Sequence, residues 1–315
     1  MEIGVIGLGK MGSNLVRNLE SRGYDVTGYD VDEDAVENLR ELDDVKGGDK
    51  VSPDPAYDLE DLAGSLDESR TIWMSVPCGD PVDDVLEGLL QHLDEGDVVI
   101  DAGNSNFENT RRRSRQLRDD GVVLLDAGCS GGPSGALHGM SIMVGGEKEA
   151  FEKHEGLFDD LSVEGGYGYF GPSGAGHYVK MVHNGIEYAM MQSLGEGFQI
   201  LDEGPYDDLD LEKVCDVWDN GSVIESKLVR LSGNAFERNP DMEGVVGHVP
   251  DSGEGRWTVE TAITEDVPAT TIAHSLFARY RSRTGGEGSF SDKLLAMLRN
   301  EFGGHEVETE DSDED

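Results

Sequence analysis

Lysine is scarce in this 315-residue chain: nine lysines stand among 25 basic residues, against 66 acidic ones, for a formal net charge of −41. A field of that sign repels nucleic acid and anionic membrane surfaces, so neither is an expected partner. It also repels anionic substrates unless salt screens it, and at molar salt the screening length falls to about 3 Å. We read the composition as that of a halophilic protein working in a salt-rich cytoplasm. Cysteine is scarce too. Cys78, Cys129 and Cys215 are odd in number and lack any Cys-x-x-Cys spacing. A disulfide framework and a zinc site are therefore not expected, a reducing cytoplasm is the natural setting, and no metal is called for. Cys129 reads as a small apolar wall residue rather than a nucleophile. No apolar run approaches about 18 residues, which argues against a transmembrane helix. Met1-Glu2-Ile3-Gly4-Val5 has no basic stretch and enters a strand pattern at once, unlike a signal peptide.

What is present is glycine, at 43 residues, and a length that suits two domains. Short apolar strands alternate with helical patterns through the first half: Glu2–Ile6, Tyr24–Tyr29, Thr71–Val76, Asp97–Asp101 and Val122–Ala127, with Ser141–Val144 and Tyr167–Phe170 as possible extensions. That alternation implies a doubly wound parallel sheet. From about Gly174 long helical patterns take over: His177–Leu201, Leu211–Leu231, Thr258–Arg281 and Ser291–Phe302. The expected organisation is an α/β N-terminal Rossmann domain over 1–170 and an all-α domain over 171–305. A disordered acidic tail is expected over 306–315.

Gly7-Leu8-Gly9-Lys10-Met11-Gly12 lies between the first strand and the first helix. Glycines there permit a tight turn and close backbone approach, and the helix N-terminus offers free N–H groups to a pyrophosphate. The motif alone is weak evidence, but its strand–turn–helix context makes it a dinucleotide site. Asp30 ends the second strand, where an acid accepts hydrogen bonds from ribose hydroxyls and repels a 2′-phosphate. No arginine follows in Val31-Asp32-Glu33, so the expected cofactor is NAD rather than NADP. Val76, at another strand end, is expected near the cofactor.

Three segments carry the remaining chemistry. Asp101-Ala102-Gly103-Asn104-Ser105-Asn106 follows a strand's carboxyl end, where open parallel sheets bind ligands. Gly128-Cys129-Ser130-Gly131-Gly132-Pro133-Ser134-Gly135 is rich in hydroxyls and bare N–H groups suited to a carboxylate. In the third segment Lys180, His183, Asn184 and Glu187 follow i, i+3, i+4, i+7 spacing and share one helix face. A base, an acid and two neutral polar groups are out of character on a surface otherwise dominated by acids.

Gly176-His177-Tyr178-Val179-Lys180-Met181-Val182-His183-Asn184-Gly185-Ile186-Glu187-Tyr188 resembles the signature of the decarboxylating 6-phosphogluconate dehydrogenases. So do Asp101–Asn104 and Ser130-Gly131-Gly132, and the resemblance runs from Met1 to about His305. Arg283-Thr284-Gly285 and Phe302-Gly303-Gly304-His305 are similar to the family's short, often NAD-linked branch. The resemblance implies NAD-dependent conversion of 6-phosphogluconate to ribulose 5-phosphate and CO2. Lys180 would take the C3 hydroxyl proton and Glu187 would protonate C1 of the resulting enediol. Lys180 must then be neutral near pH 7, which burial or a nearby cation favours. Asn104, which would also contact the cofactor, Ser130, Gly131, Gly132, His183 and Asn184 would hold the sugar acid, with Tyr188, Arg283 and His305 at its phosphate. The family forms dimers and its short members often tetramers, so a homodimer or homotetramer is implied. One departure stands out: Ser252, before Gly253-Glu254-Gly255-Arg256-Trp257, occupies the place of a phosphate-binding lysine of the long forms. Two alternatives stay open on sequence: another β-hydroxyacid dehydrogenase, such as one acting on 3-hydroxyisobutyrate, and a non-catalytic NAD-binding regulator. Neither calls for a glutamate seven residues after the lysine.

Overall fold

The computed structural model describes residues 1–42 and 52–309. It divides into two compact units, Met1–Met181 and Val182–Asp315. The division falls inside a long helix, later than the break at 170/171 suggested by composition.

The first unit is built in the order β1 (Glu2–Ile6), α1 (Lys10–Ser21), β2 (Asp25–Tyr29), α2 (Glu33–Glu37), β3 (Asp54–Pro55), α3 (Leu59–Gly64) and β4 (Thr71–Met74). Then come α4 (Asp80–Leu90), β5 (Val98–Asp101), α5 (Phe107–Asp119), β6 (Val123–Ser130), α6 (Gly132–His138), β7 (Met140–Gly145), α7 (Lys148–Leu161) and β8 (Ser162–Gly171). The strands form one sheet in the order β3-β2-β1-β4-β5-β6-β7-β8. β1 to β6 pair in parallel, as the alternation of strands and helices predicts. β4 and β5 are buried along their whole length, the pattern of strands covered on both faces. Alternate residues therefore serve two cores. Ile3, Val5 and Ile100 pack with Leu15, Leu19 and Phe158 on one face, and Ile6, Ile72 and Val99 with Val82, Leu86 and Leu117 on the other.

β7 departs from the parallel pattern and runs antiparallel to β6. Only the short α6 separates them, flanked by Gly131 at φ 140° and Gly139 at φ 123°. These glycines reverse the chain within a span too short for the crossover a parallel neighbour needs.

The second unit is helical. α8 (Ala175–Asp202) crosses the division, followed by α9 (Leu211–Trp218), α10 (Lys227–Arg238), α11 (Glu254–Thr264), α12 (Thr270–Ser282) and α13 (Phe290–Gly303). Met191, Phe198, Phe236, Leu294 and Leu298 form its core. Two expected helices are each divided. The pattern over 211–231 breaks at Gly221 (φ 89°), and Ser226 restarts it by accepting a hydrogen bond from Val229 N–H. The pattern over 258–281 breaks at Asp266 (φ 54°) and Pro268, which lacks the N–H a helix requires. The acidic tail expected from Glu306 is tied down as far as Thr309: Val246 N–H donates to Glu308 O at 2.9 Å, and Val307 packs on the core. Positions 310–315 lie outside the described residues.

Candidate active site

Turn geometry explains each glycine of the first motif. Gly7 sits at φ 91°, and a Cβ there would lie 2.4 Å from Ser75 O. At Gly12 it would lie 1.7 Å from Gly7 O, so α1 can pack on the turn only without a side chain. Gly9 faces open space and starts α1 with no side-chain cap. Lys10 and Met11 begin the helix, and Leu8 is buried beneath it. An uncapped helix start beside an open glycine suits an anionic pyrophosphate. Asp30 braces this turn, accepting from Leu8 N–H at 2.6 Å and Asp32 N–H at 3.0 Å. Val31 beyond it is 85% exposed, with no cation beside it in sequence. The residues present therefore fit a nicotinamide dinucleotide.

The loops past β4 and β5 are tied together from below. Asp101, fully buried, accepts from Ser105 Oγ at 2.8 Å and Gly103 N–H at 3.1 Å. Arg113 donates to Gly79 O at 2.9 Å and to both oxygens of Asp83. That pairing holds the Asp83 carboxyl down at about 2. Above this bracing Asn104 is exposed and Val76 half-buried.

Lys180 is placed by a chain of close approaches. Asp126, buried on β6, accepts from Gly174 N–H at 2.7 Å and His177 N–H at 2.9 Å, which anchors the start of α8 and puts a negative charge at its positive end. A Cβ on Gly176 would sit 2.3 Å from Met143 O, and one on Gly128 would sit 2.3 Å from Lys180 Cβ. With both absent, α8 lies directly on β6, and Lys180 is only 7% exposed. Ser130, Gly131 and Gly132 follow on the same strand and turn, half-buried. Burial pushes the neighbouring Cys129 thiol up to about 12, the Lys180 charge acting the other way, so the thiol stays protonated. That agrees with its reading as a wall residue.

In the second unit α8 continues through exposed His183, buried Asn184, half-buried Glu187 and buried Tyr188. His183 Nδ1 lies 2.9 Å from Asn184 Oδ1 and 4.0 Å from Glu187 Oε2. Asn184 Nδ2 donates to Glu254 Oε1 at 3.0 Å. Tyr188 is stacked under Arg279, whose guanidinium carbon stands 3.3 Å from the ring centroid. Arg279 is buried and donates to Pro250 O at 3.2 Å, while its Nε has no acceptor. Burial pulls it down to about 10, still charged at neutral pH. Arg299 is also shifted down by burial, with Tyr188, Arg283, Glu254 and Glu187 in its field. Arg283 donates to Val249 O at 3.2 Å and keeps a buried Nη2 without acceptor. Arg279 and Arg299 thus both lie in the field of Tyr188, while Arg283 stands 5.2 Å from the Tyr280 ring centroid. Arg256 pairs with Asp251 at 2.7 Å and donates to Tyr280 Oη at 3.1 Å. His305 is exposed, edge-on to Phe302.

Arg279, Arg299, Glu254, Asp126 and Arg113 are not marked for a role by any sequence motif. Isolated arginines at helical spacing carry no signal of convergence. Asp126 and Arg113 were hidden inside strand and helix patterns. Among the described residues no cluster of histidine, cysteine or acidic side chains could hold a metal, and no helix is long and apolar enough to cross a membrane.

Comparison with known proteins bears on the same two units. Residues 2–169 match the NAD binding domain of 6-phosphogluconate dehydrogenase, and 176–314 its C-terminal domain. The chain belongs to the 6-phosphogluconate dehydrogenase family. It is 43% identical over 313 residues to the NAD(+)-dependent, decarboxylating 6-phosphogluconate dehydrogenase of Haloferax volcanii, covering 99% of this chain and all of that protein. It is 44% identical over 308 residues to a Bacillus subtilis protein whose name assigns it to 6-phosphogluconate dehydrogenase provisionally, with 98% and 99% covered. Among solved structures, Plasmodium falciparum 6-phosphogluconate dehydrogenase, studied in its apo form and with NADP+ and with 6-phosphogluconate, superposes with a TM-score of 0.81. That match is at 27% identity and covers 96% of this chain and 70% of the other. As a member of this family the chain is an oxidoreductase with a nucleotide-binding Rossmann domain and a mostly helical second domain.

Proposed function

We propose that the chain catalyses the NAD-dependent oxidative decarboxylation of 6-phosphogluconate to ribulose 5-phosphate and CO2, within the oxidative pentose phosphate route. The observation that carries this reading is Lys180, buried against Gly128 at the start of a helix whose same face bears Glu187 two turns on. The role of general base requires Lys180 to be neutral when it takes the proton. Bound NAD supplies a hydride acceptor for C3. Lys180 takes the C3 hydroxyl proton, leaving a 3-keto acid. It then returns that proton toward the carbonyl oxygen as the C1 carboxylate departs as CO2 and its bonding pair moves into an enediol. Glu187 then protonates the enediol carbon that lost CO2, which is C2 of the substrate and becomes C1 of ribulose 5-phosphate. Asn104, Ser130, Gly131, Gly132, His183 and Asn184 hold the sugar acid.

The phosphate falls to Tyr188 with Arg279, Arg283 and Arg299, and to His305. Two buried guanidiniums, Arg279 and Arg299, with half-buried Arg283, offset the absent lysine at Ser252. Asp30 with exposed Val31 supports NAD over NADP. A net charge of −41 supports a halophilic enzyme, which we take to work in the cytoplasm as a homodimer or homotetramer. The test is initial rates at 340 nm in molar KCl with NAD and with NADP, each with 6-phosphogluconate and with 3-hydroxyisobutyrate. NADH formation with 6-phosphogluconate alone is expected. Absence of product at any salt, or preference for the smaller acid, overturns the reading.

A further inference from the structure

Glu254 is 2% exposed and stands where no motif of the sequence reading assigned a role. It begins α11, and one of its oxygens, Oε1, accepts from Asn184 Nδ2 at 3.0 Å. The other, Oε2, is buried without a donor. A half-satisfied buried carboxylate is costly, and a neutral apolar residue at that position would avoid the cost.

The geometry points to Glu254 as a positioning residue that fixes the tautomer of His183 through Asn184. A carboxylate offers acceptors only, so the Asn184 group facing it must be the amide NH2. The opposite group, Oδ1, is then an acceptor, and it lies 2.9 Å from His183 Nδ1. Nδ1 must therefore carry the proton, which makes Nε2 the acceptor of the neutral ring. In the proposed reaction an accepting Nε2 receives a hydrogen bond from a substrate hydroxyl, whereas a donating one would compete for it. Glu187 Oε2, 4.0 Å from the same Nδ1, favours the same tautomer across a longer gap. Arg299 stands in the field of Glu254. The ring itself is more than a third exposed, so burial alone does not select a tautomer.

The kinetic part of this inference rests on the proposed reaction; the tautomer does not. The test is 15N-resolved histidine NMR of the full-length protein at about pH 8.5, above the ordinary imidazole range, with His183 assigned through His183→Gln. Wild type is expected to show the Nδ1–H form. Glu254→Leu removes the acceptor and should shift His183 toward Nε2–H. Glu254→Gln, whose carbonyl can still accept, should restore the wild-type form in part. Glu254→Leu should also lower kcat/KM for 6-phosphogluconate by about ten- to a hundredfold, the worth of one hydrogen bond to a charged group, with the KM for NAD unchanged. A His183 spectrum identical in wild type and Glu254→Leu, or one moved only by Glu187→Gln, overturns the inference. A shifted tautomer in a protein inactive on 6-phosphogluconate would uphold it and refute the proposed reaction instead.

Discussion

Gly128→Ala is the substitution whose consequence the structure specifies most tightly. The added Cβ would lie 2.3 Å from Lys180 Cβ and 2.9 Å from Gly176 O. Ordinary carbon contacts are about 3.5–4.0 Å, so α8 must lift from β6 by about 1.2–1.7 Å. The backbone on both sides is anchored, by the β6 ladder and by Asp126 beneath the helix start, so neither yields cheaply. Overpacking of this kind costs about 1–3 kcal/mol, or a drop in Tm of roughly 2–12 °C for a unit of this size. A displacement of about 1 Å at the base costs on the order of a hundredfold in kcat. Gly156→Ala is the control. It sits within α7 with open space around it, and should be neutral or stabilising by up to about 1 kcal/mol. The assay is thermal unfolding in molar KCl together with steady-state kcat. A Gly128→Ala enzyme with wild-type Tm and kcat would refute the close approach of helix and strand on which the placement of Lys180 depends.

Other perturbations have equally definite expectations. Asp30→Ala combined with Val31→Arg removes the carboxylate at the ribose position and adds a cation on an exposed site. The kcat/KM ratio of NAD to NADP should fall at least tenfold, and an unchanged ratio would show that Asp30 serves only the turn. Asp83 is held at about 2 by Arg113 and Arg112. Its folded-state value is depressed, so its contribution is complete above the ordinary carboxylate range and disappears as pH falls from about 4 toward 2. Asp83→Asn should therefore narrow its stability deficit over that window, and a deficit constant from pH 7 to 2.5 would contradict the pairing. Tm should rise steeply between 0.1 M and 2 M KCl, because the net charge of −41 is then screened; a flat response would reject the halophilic reading.

Much of the fold was legible because its signals are local and periodic. Buried strands at β1, β4 and β5 stand out as short apolar runs, and Gly7, Gly9 and Gly12 mark the first turn by the absence of side chains. The two-residue β3 was invisible for the opposite reason, since nothing in Asp54-Pro55 alternates. Helical periodicity carried across Gly221 and across Asp266-Val267-Pro268, so two pairs of helices read as single ones. The face of α8 followed from i, i+3, i+4 and i+7 spacing alone. What the spacing withheld were groups brought in by other elements: Asp126 from β6, Glu254 from α11, Arg279 from α12 and Arg299 from α13. The convergence of Glu254, Arg279 and Arg299 within the second unit is tertiary. Under the proposed function it also offsets the absent lysine at Ser252, with charge drawn from two helices distant in sequence.

The central claim is that Lys180 and Glu187 serve one sequence of oxidation, decarboxylation and reprotonation. Its most direct test is the yield of labelled CO2 per NADH formed from 6-phosphogluconate carrying carbon-14 at C1, in the wild-type enzyme and in Lys180→Met. One CO2 for each NADH in the wild type, and neither product from Lys180→Met, is the predicted result. NADH accumulating without labelled CO2, or activity surviving in Lys180→Met, would contradict it.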